Sequence, residues 1–453
     1  MAFYNRNAEQ AQLSSALRRE KRQFIVVYGR RRAGKSTLLR RLTSPTDVYF
    51  QASQTTASYQ RERLTEQLAE RLPGLADARF TGWSQFFSAV NAQVQDRFTL
   101  VLDEFPYLVK ADTSLPSVLQ RLLDDREQLR LDIIICGSSQ QMMRGLILSA
   151  TAPLYGRADE IIKLDALAPG WLLEHLPGSS PVELIEEYAT WGGIPRYWEL
   201  RKDYPNYADA VKNLILSPTG VLHEEPNRLL LEDLRDTVQS ATLLTLVAAG
   251  VHRLSELGAR MQKPATDLSR PLQRLIEMGY LQREIPYGAK RRATKLGLYK
   301  VADPFLRFHY HYVHPNLSEL LPTRLDAVWR RLRTQQPQFL AQTWENLCRD
   351  FVGLTDEYVA EYHYPARWWG KDGEGKPMEI DLVSMSFDGT SLLVGECKWS
   401  ATKDVNRLRS TLIAKAKRLP FYNDQVVHPL IFTKGDSSDG AIHPKDVLLA
   451  LKL

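Results

Sequence analysis

The octet Gly29-Arg30-Arg31-Arg32-Ala33-Gly34-Lys35-Ser36 constrains the fold of this chain more than any other segment. It satisfies the pattern G-x-x-x-x-G-K-[ST] at each defined position. A glycine-flanked loop of this kind turns backbone N–H groups toward phosphates, Lys35 adds a point charge, and the Ser36 hydroxyl reaches Mg²⁺. Such a loop needs a strand feeding it and a helix leaving it. Phe24-Ile25-Val26-Val27-Tyr28 reads as a buried parallel strand, and Ser36-Thr37-Leu38-Leu39-Arg40-Arg41-Leu42 continues as a helix whose N-terminus faces the anion. Gly29, Arg30, Arg31, Arg32, Ala33, Gly34, Lys35, Ser36 and Thr37 therefore form the expected nucleotide-binding set.

With 453 residues the chain exceeds what one core usually organises, so two to four domains are expected. No apolar stretch is long enough to cross a bilayer, and the N-terminus lacks the apolar centre of a signal peptide. The expectation is a cytoplasmic protein with no membrane partner. Cys136, Cys348 and Cys397 have no metal-ligand spacing and read as structural thiols. The formal charge of +6 fits a nucleic-acid partner and equally a generally basic surface.

Four parts follow from the order of patterns. Residues 1 to 165 alternate short apolar strands, Phe24–Tyr28, Val48–Gln51, Thr99–Leu102, Leu131–Cys136 and Glu160–Leu164, with amphipathic helices, a doubly wound α/β pattern. Residues 166 to 225 are helical, as in Val182–Trp191, and are interrupted by Gly192-Gly193-Ile194-Pro195, which suggests a helical lid. Residues 226 to 315 carry three short helices, Ala241–Ala249, Leu254–Met261 and Asp267–Met278. Two strands follow, Tyr280–Ile285 and Leu298–Val301, with Gly288 between them, the pattern of a winged helix-turn-helix. Residues 316 to 453 mix helix and strand, ending in Val427–Phe432.

A nucleotide-hydrolysing site needs an acidic residue at the end of a second strand, and Phe98-Thr99-Leu100-Val101-Leu102-Asp103-Glu104 supplies two. Asp103 is placed to hold Mg²⁺ through water and Glu104 to polarise the attacking water. The next strand runs into Gly137-Ser138-Ser139, where Ser138 is placed to sense the γ-phosphate. Arg157, in Pro153-Leu154-Tyr155-Gly156-Arg157, suits either a phosphate, in its own chain or a neighbour's, or a surface ion pair.

These features resemble the archaeal- and prokaryotic-type ATPases of the STAND branch of AAA+ proteins. The resemblance rests on Phe3-Tyr4-Asn5-Arg6, Gly29–Ser36, Leu102-Asp103-Glu104-Phe105-Pro106-Tyr107, Gly137-Ser138-Ser139, Pro153–Arg157 and Gly192-Gly193-Ile194-Pro195-Arg196-Tyr197. It implies ATP as the nucleotide, places Asn5-Arg6 near the base, and assigns Pro195 to a lid that reports nucleotide state.

A second constellation lies near the C-terminus. Met378-Glu379-Ile380-Asp381-Leu382-Val383 and Leu392-Leu393-Val394-Gly395-Glu396-Cys397-Lys398-Trp399 read as two strands joined by an Asp388-Gly389 turn. A two-residue turn sets Asp381 opposite Glu396, whereas a looser loop brings Asp381 nearer Lys398; Glu396 and Lys398 share a face in either case. Two opposed acids repel unless a cation lies between them, and a nearby lysine steers or activates water, which suits metal-assisted phosphodiester hydrolysis. An ordinary cross-strand ion pair is the plainer alternative. The arrangement resembles the PD-(D/E)xK nuclease core, of restriction-endonuclease-like fold. That resemblance makes Asp381 the first acid and Glu396-x-Lys398 the second acid and lysine, draws Glu345 from the helix Phe339–Phe351, and leaves Glu379 as an additional acid. Asp381, Glu396 and Glu345 then bind Mg²⁺, with Mn²⁺ as an alternative metal.

Arg270 and Arg274 on the third short helix, and Lys290-Arg291-Arg292 and Lys295 beside Gly288, are candidate phosphate contacts. Arg367-Trp368-Trp369-Gly370-Lys371 suits either strand guidance or the core. His309, His311 and His314, among aromatic neighbours, read as packing. The whole is expected to be an ATP-gated, metal-dependent nuclease, acting on DNA in preference to RNA and capable of homo-oligomerisation. The rival reading is a regulatory ATP switch whose C-terminal domain binds nucleic acid or protein without cutting it.

Overall fold

The computed structural model describes residues 5–234, 236–290, 296–401, 404–435 and 440–452. The chain forms two compact units, Met1–Ala166 with Glu232–Arg235, and Leu167–Leu231 with Asp236–Leu453.

In the first unit, β1 (Phe24–Gly29), β2 (Val48–Gln51), β3 (Thr99–Asp103), β4 (Asp132–Gly137) and β5 (Glu160–Leu164) form a parallel sheet ordered β2-β3-β4-β1-β5. Every residue of β1, β3 and β4 is buried, the signature of strands covered on both faces. Alternate residues serve the two sides. Phe24, Val26, Leu100 and Ile133 join Trp83, Phe86 and Phe87, while Ile25, Val27, Val101 and Ile134 join Leu13, Leu38 and Leu39. Because β4 is inserted between β1 and β3, its carboxyl end lies between the Gly29–Ser36 loop and Asp103-Glu104. Ligands bind at such carboxyl ends in open α/β sheets.

The second unit opens with helices. Pro181–Trp191 starts at a capping box, in which Ser180 Oγ accepts from Glu183 N (3.3 Å) and the Glu183 carboxylate accepts from Ser180 N (2.7 Å). Such a cap contributes about 1 kcal/mol. The helix ends at Gly192 (φ 60°), whose carbonyl accepts from Trp198 Nε1 at 2.6 Å. Inside this unit Glu187 forms a buried ion pair with Arg201 (2.7 Å) and accepts from Trp191 Nε1 (2.6 Å).

Gly193 is required for space rather than for dihedral freedom. Its carbonyl accepts from Leu167 N at 2.7 Å, and a Cβ there would overlap the Leu167 carbonyl. Gly193→Ala is expected to destabilise the second unit by about 2–3 kcal/mol through forced backbone movement, read as a lower denaturant midpoint. An unchanged midpoint would show that the two segments separate at no cost.

Thr237–Ala248, Leu254–Met261 and Ala265–Glu277 follow as three helices, and β6 (Leu281–Glu284) pairs antiparallel with β7 (Leu298–Val301). Arg270 and Arg274 are exposed on the third helix, whose Leu268, Leu272 and Leu275 face inward. Arg291, Arg292 and Lys295 lie outside the described residues.

The last sheet has the order β11-β10-β9-β8, from β8 (Ala366–Lys371), β9 (Pro377–Met385), β10 (Ser391–Lys398) and β11 (Val426–Thr433). Only the β10–β11 pair is parallel. One face packs Val383, Val394 and Ile431 against Val405 and Leu412 of the helix Val405–Ala416. On the other, Phe432 meets Trp344 (6.4 Å between ring centres) and Phe351 (5.8 Å) of the helix Leu325–Leu354. That helix is 30 residues long and includes Pro337, so it begins well before the expected Phe339. Proline lacks one helical donor and ordinarily breaks the pattern, and burial of Val328, Leu332, Phe339, Trp344 and Leu347 on one helix overrides it here.

Candidate functional site

At the carboxyl end of β1 the Gly29–Ser36 loop takes two left-handed residues, Arg32 (φ 67°) and Gly34 (φ 93°), before the helix Lys35–Leu42. Left-handed backbone costs an ordinary residue about 1–2 kcal/mol, which glycine avoids at position 34. Lys35 is only 5% exposed and its Nζ donates to Gly29 O (2.9 Å) and Arg30 O (3.0 Å). Ser36 Oγ donates to Asp103 Oδ2 at 2.8 Å, and the Tyr49 hydroxyl donates to the same oxygen. Burial, reinforced by Asp103, pushes the Tyr49 phenol far above its ordinary pKa, so it stays a donor. Tyr49 went unnoticed in the sequence because its role depends on β2 lying beside β3, with Gln51 paired to Asp103.

Glu104 follows Asp103 in a left-handed conformation (φ 54°), starting the helix Phe105–Ala111. Its Oε2 accepts from Ser138 Oγ (3.0 Å) and Ser138 N (3.3 Å), so the end of β4 fixes the carboxylate. Behind the loop, buried Arg6 donates to Ala33 O (3.3 Å) and Asp165 O (2.6 Å) and pairs with Glu9 (2.9 Å). Asn5 and Arg6 both have positive φ at this point. Arg31 forms an ion pair with Glu232. Ser139 Oγ donates to Glu232 O (3.3 Å) and Gln140 N to Asp233 Oδ1 (3.1 Å), so residues 232 and 233 tie the loop to the end of β4. Nothing in the sequence near 232 announced this. Arg157 pairs with Asp124 (2.8 and 3.2 Å). Thr37 lies in the first turn of the helix Lys35–Leu42.

The C-terminal group forms at one end of β9 and β10. Leu392 pairs with Met385, Val394 with Val383 and Gly395 with Leu382, the register that sets Asp381 opposite Glu396. The turn is wider than two residues, since Ser386 N donates to Ser391 O (2.9 Å) around Phe387–Thr390, yet it remains centred on Asp388-Gly389. Asp381 Oδ2 accepts from Cys397 N (2.9 Å) and its carbonyl accepts from Arg349 Nη1 (2.9 Å). Burial, with Glu345 and Glu396 nearby, pushes the Asp381 carboxyl up to about 6. Glu396 is gripped by Lys398 (2.5 Å) and Lys415 (3.3 Å). Against the opposing effect of burial, these lysines hold its carboxyl below the usual range. Lys415 was not anticipated; it reaches across from the helix Val405–Ala416. Glu379, the further candidate, is exposed and bound to Arg367 (2.5 Å). Among the described residues no three His, Cys, Asp or Glu side chains close on one point as a metal-binding group. In this structure Lys398 and Lys415 each pair with one Glu396 oxygen. Trp368 belongs to the core and Arg367 sits 5.6 Å from the Trp369 ring. His309 is buried, which pulls its pKa down to about 3 and keeps it a neutral packing group.

Residues 3–200 match the family of ATPase domains found predominantly in Archaea. The N-terminal part of the chain is similar to these P-loop ATPase domains. Residues 309–409 match a family of archaeal and bacterial proteins of unknown function, a span that includes Glu345, Asp381, Glu396 and Lys398. An uncharacterised protein of Methanocaldococcus jannaschii is 27% identical over 444 residues, covering 96% of this chain and 97% of that protein. Among solved structures, a Walker-type ATPase of Pyrococcus abyssi is similar in fold, with a TM-score of 0.52 at 17% identity, over 68% of this chain and 96% of that one. No helix among the described residues is long and apolar enough to cross a membrane.

The residues of the ATPase domain fit the nucleotide and Mg²⁺ that such domains use. Lys35 brings a buried positive charge whose acceptors are neutral carbonyls, and the adjoining Ser36 hydroxyl and Asp103 carboxylate are hard oxygen donors of the kind Mg²⁺ takes. The metal would supply charge neutralisation at the phosphates. The protein's own part is to present loop N–H groups, to keep Asp103 oriented through Tyr49, and to hold Glu104 against Ser138.

Proposed function

We propose that this protein is an ATP-hydrolysing switch that controls a metal-dependent nuclease in its C-terminal domain, with DNA as the favoured substrate. In this reading Gly29–Thr37 with Asp103 bind MgATP, Glu104 positions water and Ser138 senses the γ-phosphate. Asp381, Glu396 and Glu345 hold the nuclease metal, Mg²⁺ or Mn²⁺, beside Lys398. Residues 1–165 form the ATPase core, 166–225 the lid, 226–315 a winged helix and 316–453 a PD-(D/E)xK-type domain. The three helices followed by the β6–β7 hairpin support the winged-helix assignment. Cytoplasmic location and assembly into homo-oligomers belong to the same reading.

The observation that carries the nuclease reading is the β9–β10 register, which sets Asp381 opposite Glu396 and Lys398; burial, with Glu345 and Glu396 nearby, pushes the Asp381 carboxyl up to about 6. Structural stability alone gives no reason to bury like charges together, whereas a cation between them relieves the repulsion. One observation favours the second reading, a nucleic-acid- or protein-binding switch that does not cut: Lys398 and Lys415 already neutralise Glu396.

The purified chain should be incubated with single-stranded, duplex and branched DNA and with RNA, with Mg²⁺ or Mn²⁺, in the presence and absence of ATP. Cleavage is expected, and Lys398→Ala should reduce it by about 100-fold or more, the typical weight of a group acting on the transferred proton or charge. Products that persist unchanged in Lys398→Ala would assign the cleavage elsewhere, and absence of products under every condition would leave the non-cutting switch.

A further inference from the structure

In the second unit a cavity of about 350 Å³ is walled by β6, the helix Leu325–Leu354 and β8, and it carries charge out of proportion to its pairing. Its charged lining is Arg283, Glu284, Arg307, Arg349, Asp350 and Arg367. Glu284 is bound by Lys300 (2.7 Å) and lies 3.5 Å from Arg349 and 3.8 Å from Arg367. Burial raises the pKa of Asp350, which accepts from the Tyr364 hydroxyl at 2.7 Å. Arg367 also pairs with Glu379, and Glu345 acts on both Arg307 and Arg367.

Arg307 has the least compensation. It is 6% exposed and its guanidinium donates to Phe339 O (3.2 Å) and to Thr343 Oγ1, both neutral acceptors, while its Nε has no acceptor. The guanidinium carbon stands 4.1 Å from the centre of the Phe339 ring. Among the described residues no carboxylate comes within ion-pair distance of it, and Glu345 acts on it only from further off. Burying a cation without a counter-ion is expensive, and burial draws even this guanidinium down to about 10. An arginine kept in that condition on a cavity wall points to an anion that arrives from outside.

We propose that this cavity binds a phosphate group, carried by a nucleotide or by a nucleic-acid strand, with Arg307 and Arg367 as its principal contacts. Guanidinium forks match phosphate oxygens in pairs and are weakly hydrated, which suits a partly buried site. The cavity adjoins the C-terminal carboxylates, because Arg349 on its wall donates to the Asp381 carbonyl at 2.9 Å. A phosphate held here would therefore lie beside Asp381 without touching it. Binding at this site does not depend on whether Asp381 and Lys398 cleave anything.

The full chain carrying Lys35→Ala, which silences the P-loop, should be titrated in EDTA with two probes: thymidine 5′-monophosphate and a fluorescent eight-nucleotide oligothymidylate. Binding is expected, with Arg307→Gln weakening it about tenfold or more and Arg307→Lys by less, since a charge-assisted contact is worth about 1.5–3 kcal/mol. Arg367→Gln, nearer the surface, should weaken it independently and lower the salt slope by about one, so the proposal stays testable if the Arg307 variants fail to fold. Equal binding of both probes identifies a free-nucleotide site, and binding of the oligonucleotide alone identifies a strand site; either supports the proposal. Affinities unchanged in both glutamine variants, or no binding of either probe to the parent at millimolar concentration, would overturn it. The probes are titrated in EDTA, where metal-dependent cleavage cannot occur, so failure of the cleavage reading and failure of this one give different results.

Discussion

Lys35→Ala is expected to remove ATP binding, with affinity falling by about 100-fold or more, while Glu104→Gln keeps affinity and loses turnover. Lys35 is buried at 5% exposure and spends its ammonium on two carbonyls of its own loop, Gly29 and Arg30. A phosphate replaces those neutral acceptors with charged ones, each worth about 1.5–3 kcal/mol, so the lysine weighs directly on affinity. Glu104 sits differently. Its carboxylate is oriented by Ser138 Oγ at 3.0 Å, an interaction that glutamine's carbonyl oxygen retains, so the backbone at φ 54° and the local packing should survive. What glutamine lacks is the capacity to take a proton from water, which sets the expected loss in turnover at about 10²–10⁴-fold. Equilibrium binding of a fluorescent ATP analogue and steady-state phosphate release separate the two effects. Normal turnover in Glu104→Gln would remove that residue from the reaction, and normal binding in Lys35→Ala would remove the octet from nucleotide recognition.

The contrast between those residues and their supports shows which parts of the site the sequence carries. The P-loop and the acidic strand end are legible because their chemistry fixes residue type at fixed local spacing, and the strands around them are legible because full burial makes them continuous apolar runs. Tyr49, Glu232 and Lys415 are not, since each acts through an approach of segments far apart in the chain: Tyr49 to Asp103, Arg31 to Glu232, Lys415 to Glu396. The β9–β10 register was legible for a different reason. A turn centred on Asp388-Gly389 (φ 75° at Gly389) preserves the pairing whether two or four residues lie outside the ladder. Pro337 misled because its local effect on a helix is strong while the burial that outweighs it is distributed over many positions. The strand Ala366–Lys371 escaped notice because its adjacent tryptophans are buried and half-buried, which obscures the alternation.

Asp381→Asn should abolish cleavage and at the same time make the protein more stable near neutral pH. Burial and the neighbouring Glu345 and Glu396 raise the Asp381 carboxyl to about 6, above its ordinary value of 3.8. The folded state therefore binds this proton more tightly than the unfolded chain does. The stability it contributes is fully present below pH 3.8 and is lost as pH rises through 6. At pH 8 the charged carboxylate costs about 2–3 kcal/mol relative to a neutral isostere. Asparagine keeps an oxygen to accept from Cys397 N, which Asp381 does at 2.9 Å, and sheds the charge. Denaturant unfolding of the second unit should thus show a higher midpoint for Asp381→Asn at pH 8, with the difference vanishing near pH 4. Mn²⁺ should raise the midpoint of the parent at pH 8 and leave that of Asp381→Asn unmoved, because a bound cation offsets the repulsion that the substitution removes. A difference that persists at pH 4 would assign the gain to packing. A parent indifferent to Mn²⁺ would mean that Lys398 and Lys415 have taken the place of the metal, and the C-terminal domain would then act by binding alone.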